Sequence, residues 1–126
     1  MKLYLLIGLA GGLGAMARYL VTSLSVHLLG RGFPWGTFSV NVLGSALMGF
    51  LAVWLVARWQ LPLEYRLAIL TGFLGAFTTM SAFSIDTLAL MERQQWLTAL
   101  AYAGGTVVLC LVAARGGMLV AELLSA

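Results

Sequence analysis

The apolar stretches of this 126-residue chain hold almost no group suited to acid–base or metal chemistry. Neutral polar residues stand in their place: one amide, Asn41, and a run of glycines and hydroxyls, Gly72, Gly75, Thr78, Thr79 and Ser81. An amide donates two hydrogen bonds without carrying charge, which suits a small anion. It equally suits a bond to another helix, worth about 1 kcal/mol. Gly72 and Gly75 admit backbone geometries that other residues resist, and the hydroxyls can satisfy amides and carbonyls released by an interrupted helix. An interruption exposes carbonyl oxygens, which are ligands for a hard monovalent cation. The same small residues also serve plain helix packing, so both readings stand at this point. Phe77 and Phe83 fit packing too, although the edge of a phenyl ring is electropositive and can face an anion.

Enzyme chemistry finds no constellation. His27 is the single histidine and has no carboxylate or cysteine near it, and the four acidic residues form no pair at useful spacing. Cys110 is the only cysteine, which excludes an internal disulfide, and its apolar surroundings read as those of a small buried hydrophobe. The net charge of +3 comes from seven basic residues dispersed over loops and helix ends, so no patch exists for nucleic acid. Arg18 interrupts an apolar stretch, and placing it centrally in a membrane would cost a few kcal/mol. A wet vestibule or a snorkelling position suits it better, where it raises the local anion concentration.

The elements that must position these residues are membrane spans. The chain is 62% apolar and 9% charged, outside the range of soluble domains. Runs without an ionised side chain extend from Gly36 to Ala57, Leu67 to Ile85 and Trp96 to Ala114, each near the roughly 20 residues a crossing helix needs. A further apolar run, Leu3 to Leu29, is broken only by Arg18. One domain covering 1–126 is expected, with spans at about 3–29, 36–57, 66–91 and 96–123. No short apolar region followed by a cleavage site precedes the first span, so Met1 is the expected start of the mature chain.

Within the spans, Gly8 and Gly12 are set four apart and predict a close helix approach. Pro34 predicts the start of the second helix. The second helix carries Thr37, Ser39, Asn41, Gly44 and Ser45, a face that lipid disfavours, and the fourth carries a polar stripe through Thr98, Tyr102 and Gly105 or Thr106. Orientation signals nearly cancel. Lys2, Arg58, Arg66 and Arg115 would lie on one side, and Arg31, Arg93 and a snorkelling Arg18 on the other, which permits insertion in both directions.

Three blocks then carry a resemblance: Gly11-Gly12-Leu13-Gly14-Ala15-Met16-Ala17-Arg18-Tyr19, Gly36-Thr37-Phe38-Ser39-Val40-Asn41, and Gly75-Ala76-Phe77-Thr78-Thr79-Met80-Ser81-Ala82-Phe83-Ser84. Together and in this order they resemble the CrcB/Fluc fluoride channels. The resemblance implies an all-α membrane protein of four transmembrane helices, the third broken mid-span, assembled as an antiparallel, dual-topology homodimer in the bacterial inner membrane. It implies a fluoride-specific channel that exports fluoride passively, and a structural, non-transported Na+ held at the dimer centre by the carbonyls of Gly75 and Thr78. Asn41, Met80, Ser81, Phe83, Tyr102 and Arg18 are the residues expected on the fluoride pathway. Its partners are fluoride, a second copy of the chain and the lipid bilayer. The chain departs from the family pattern at Met80, where a phenylalanine is expected, at Ala82, where a threonine is, and at Asp86, where a glutamate is. A small dual-topology multidrug or cation exporter is the alternative, but that class needs a carboxylate in the first helix, and none is present.

Overall fold

The structure is a computed structural model describing residues 1–126, and it is all helical. Four segments are long and apolar enough to cross a membrane: Lys2–Leu29, Trp35–Ala57, Leu63–Glu92 and Trp96–Ser125. In element terms these are α1 (Lys2–Leu29), α2 (Trp35–Ala57), a composite third span, and α6 (Trp96–Ser125). The third span comprises α3 (Leu63–Leu67), a π-helical segment (Ala68–Leu74), α4 (Gly75–Phe77) and α5 (Met80–Glu92). Gly30, at φ 79°, ends α1, and Pro34 caps the start of α2 as its position in the sequence predicts. The Lys2 ammonium meets the Glu64 carboxylate at 3.1 Å, which puts the N-terminus and the α2–α3 loop at one end of the bundle.

The most extensive pairing joins α2 to α6. It depends on two glycines that admit backbone to backbone: a Cβ on Gly49 would strike the Ala114 carbonyl, and one on Gly117 would strike the Ala46 carbonyl and Phe50 amide. Small residues permit such approaches in spans, where dispersion and not the hydrophobic effect binds helix to helix.

α1 approaches the third span differently from the sequence expectation. Gly8 and Gly12 face open space, whereas Gly14 sits against the backbone of Phe73, and Gly72 against Ile7 and Ala10. The four-residue spacing of Gly8 and Gly12 puts them on one face, but the helix turns that face away from its neighbours.

The π-helical segment contains Gly72, but the extended backbone of the third span lies beyond both glycines. Gly75 is helical at φ −61°, ψ −37°, and no glycine besides Gly30 has positive φ. Helical geometry is lost at Thr78 (φ −84°, ψ 158°) and Thr79 (φ −154°, ψ 114°), both extended, and resumes at Met80. Gly72 therefore serves close packing and not conformational freedom.

Candidate functional site

Two extended residues deep in an apolar segment release backbone groups that must find partners. The Asn41 side chain supplies two of them. Its Oδ1 accepts from the Thr79 amide at 2.8 Å and its Nδ2 donates to the Thr79 carbonyl at 3.1 Å. Asn41 is 9% exposed, so these bonds form away from water. The amide ties α2 to the third span and retains one N–H that bonds nothing within the chain.

Hydroxyls complete the accounting. Thr79 Oγ1 accepts from the Ala82 amide at 3.1 Å, an N-cap that starts α5, and Ser81 Oγ lies 3.2 Å from the same oxygen. Thr78 Oγ1 donates back to the Leu74 carbonyl at 3.1 Å. Two side chains thereby take amides that a continuous helix would use itself. The Thr79 N–H would bond Gly75 and the Ala82 N–H would bond Thr78 in an uninterrupted i to i−4 ladder. With those amides bonded to Asn41 and to the Thr79 hydroxyl, the Gly75 and Thr78 carbonyls lose their usual donors.

Arg18 serves the same region. Its Nε donates to the Ala76 carbonyl at 3.0 Å, a charge-assisted bond from α1 to α4. Arg18 is half-buried, so the guanidinium braces the Ala76 carbonyl while part of the side chain stays exposed.

Beside the extended pair lies a cavity of about 320 Å³, the break cavity, lined in part by Asn41, Thr79, Met80, Phe83, Thr106 and Cys110. No carboxylate or basic side chain borders it. Thr106, 4% exposed, points a fully buried hydroxyl that has no hydrogen-bond partner in the protein. An orphan hydroxyl in an apolar span costs about 1–3 kcal/mol unless something in the cavity bonds it. Cys110, read from sequence as a small buried hydrophobe, is half-buried and lines this cavity.

A second cavity, of about 450 Å³, opens at the end holding the α1–α2 and α5–α6 loops. Arg31, Arg93 and Asp86 border this loop cavity, together with Trp35 and Phe33. Tyr102 stands between the two. Its hydroxyl lies 3.4 Å from Asp86 Oδ2 on the loop-cavity side, and its ring centroid lies 5.3 Å from that of Phe83 on the break-cavity side. The Phe33 ring meets Tyr102 edge-on at 5.3 Å, fixing the tyrosine from the other flank.

Of the residues singled out from sequence, Asn41, Met80 and Phe83 meet on the break cavity. Tyr102, Ser81 and Arg18 line neither main cavity: Tyr102 separates them, Ser81 is exposed on the outer face of α5, and Arg18 braces the backbone. Sequence reasoning passed over Thr79 as the partner of Asn41, Cys110 as a lining residue, and the aromatic wall of Phe33. Thr106 was visible only as one position of the α6 polar stripe.

Four spans, irregular backbone deep within the third and a largely apolar cavity with a few neutral polar groups beside it define a small multi-pass membrane protein. A profile of CrcB-like proteins (Camphor Resistance, CrcB) matches residues 5–118. The chain is 49% identical over 119 residues to a fluoride-specific ion channel FluC of Methylococcus capsulatus. That match covers 94% of the chain and 52% of the longer relative, so the chain spans about half of that protein. FluC proteins of Magnetococcus marinus and Rhizobium meliloti are each 44% identical, the matches covering 94% and 90% of this chain and 96% and 91% of theirs. The chain belongs to the CrcB-like family, and it is not an enzyme.

Proposed function

We propose that the protein is a fluoride-specific ion channel that lets fluoride leave the cytoplasm passively across the inner membrane. The observation that carries this reading is the break cavity, whose unspent donors, the free Asn41 N–H and the buried Thr106 hydroxyl, are neutral. Fluoride is small, hard and strongly hydrated, and it needs fixed donors to replace lost water. A site of neutral donors binds it without holding it as tightly as an ammonium would, and conduction requires such release. The Arg31 and Arg93 pair at the loop cavity raises the local anion concentration, and Asp86, bonded by Tyr102, moderates it. Hydrogen fluoride that crosses from acidic surroundings dissociates inside, and a membrane potential negative inside drives the anion out with about 2.3 kcal/mol per 100 mV.

The same reading includes a third span broken mid-membrane and an antiparallel homodimer of dual topology. Supporting the dimer, Gly75 is exposed on the outer face of the third span beside Ser81 and Ser84, and hydrocarbon would leave its carbonyl, which lacks the helical donor, unpaired. A second copy covers them, and the near balance of basic residues allows the opposite insertion that an antiparallel pair requires. The Gly75 and Thr78 carbonyls, without their helical donors, suit an oxygen-liganded Na+ shared between copies. Such an ion supplies binding free energy to the assembled state alone and takes no part in transport.

Liposomes holding purified protein test the channel. Fluoride efflux that excludes chloride and needs no proton gradient is expected, and a well-folded preparation without such flux would overturn the reading. For the dimer, disulfide crosslinking of Ser81→Cys on a Cys110→Ser background is expected to join two chains inserted in opposite directions. Crosslinks only between parallel chains would refute the antiparallel arrangement.

A further inference from the structure

The break cavity carries two sulfur atoms that anion conduction does not use as sulfur. Cys110 and Met80 approach it from different elements, α6 and α5, and both line it. Thr106 lies one turn before Cys110 on the same face of α6, and its fully buried hydroxyl has no partner in the chain. A thiol, a thioether and an unbonded hydroxyl thus border a space free of carboxylate, imidazole and amine. Hard cations find no charged oxygen there, whereas soft monovalent cations select thiolate and thioether and accept few ligands.

We propose that Cys110 and Met80 form a binding site for a soft monovalent cation, of the class of Cu(I) and Ag(I), within the break cavity. Binding forms a sulfur–metal bond to Cys110 as the thiol releases its proton to solvent, and the Met80 thioether adds a second, neutral donor. No electron changes hands. The thiolate charge cancels that of the cation, so the occupied site adds no net charge to the span and avoids the cost of a buried ion. Because Asn41 and Phe83 border the same space, an occupied site also closes the cavity to anions. The site stands on the cavity's sulfur lining and does not depend on which anion permeates.

Silver nitrate titrated into purified protein in chloride-free detergent buffer provides the test, followed by calorimetry and by pH-stat measurement of released protons. The expected result is one Ag(I) per chain and one proton released per Ag(I). Cys110→Ser abolishes this binding, Met80→Leu weakens it at least tenfold, and Met91→Leu, a change outside the cavity lining, leaves it unaltered. Retained melting temperature and monodispersity confirm that each variant is folded. Binding that survives Cys110→Ser, or equal affinity in Met80→Leu and the unaltered chain, overturns the site. Fluoride efflux with and without silver, each variant compared with its own silver-free rate, reads the consequence: block of the unaltered protein, relieved by excess dithiothreitol, and no block in Cys110→Ser. A protein that binds silver as described but shows no silver-free flux refutes the channel and leaves the metal site standing.

Discussion

The α2–α6 pair and the middle of the third span both lie within apolar helices, yet they are held by opposite means. Between α2 and α6, Gly49 and Gly117 bring backbones together, so contact area and fit do most of the binding. Around Thr78 and Thr79, side chains from α1 and α2 reach into the backbone itself: Arg18 to Ala76, and Asn41 twice to Thr79. The first arrangement keeps the backbone groups at the contact within their own helical ladders. The second takes backbone groups out of the helical ladder, satisfies some with side chains and leaves others open. A membrane protein that must both stand and hold an ion needs both arrangements, in separate places.

The strongest test of this contrast is Asn41→Ala, which strands the Thr79 amide and carbonyl in an apolar setting. We expect a loss of about 3 kcal/mol in stability and fluoride efflux from liposomes at background. Efflux within a few-fold of the parent would show that Asn41 is a packing residue only. Gly117→Val probes the other region. Its added methyls meet the Ala46 carbonyl and the Phe50 amide, and overpacking of this kind costs about 2 kcal/mol, seen as a lower melting temperature in detergent. Flux per correctly folded chain should remain, because the break cavity has no wall residue at this position; a specific loss of flux would join the two regions functionally. Thr79→Val removes the α5 cap at a cost of about 1 kcal/mol and lowers efflux less than Asn41→Ala, since the amide still holds the backbone. The smallest effect belongs to Lys2→Gln. The Lys2–Glu64 bridge is exposed at 63% and 36%, and exposed pairs add little. An unchanged melting temperature is expected at both low and high salt.

Parts of this organisation are visible in local chemistry. Apolar runs near the length of a bilayer crossing give the four helices, and Pro34 gives the start of α2. The neutral polar residues of the third span include the two that are extended, Thr78 and Thr79. The mechanism of its irregularity was misplaced, however. Glycine suggested conformational freedom, whereas two threonines adopt the extended geometry and Gly72 admits a neighbouring helix. Threonine is at home in extended backbone, and its hydroxyl caps the helix that follows, so Thr79 can end one helix and begin another without positive φ.

What the sequence determined by itself is the membrane, the number of spans and, through three short blocks, the family. These depend on residue type within a single helix, where length and polarity act locally. Tertiary structure alone decided which partners meet: Asn41 with Thr79 across 38 positions, Gly14 in place of Gly8 and Gly12 against the third span, and Cys110 and Met80 on the lining of one cavity. Each of these turns on the rotation of one helix about its axis relative to another. That rotation is set by the sum of many weak contacts along the interface, and no single residue carries it.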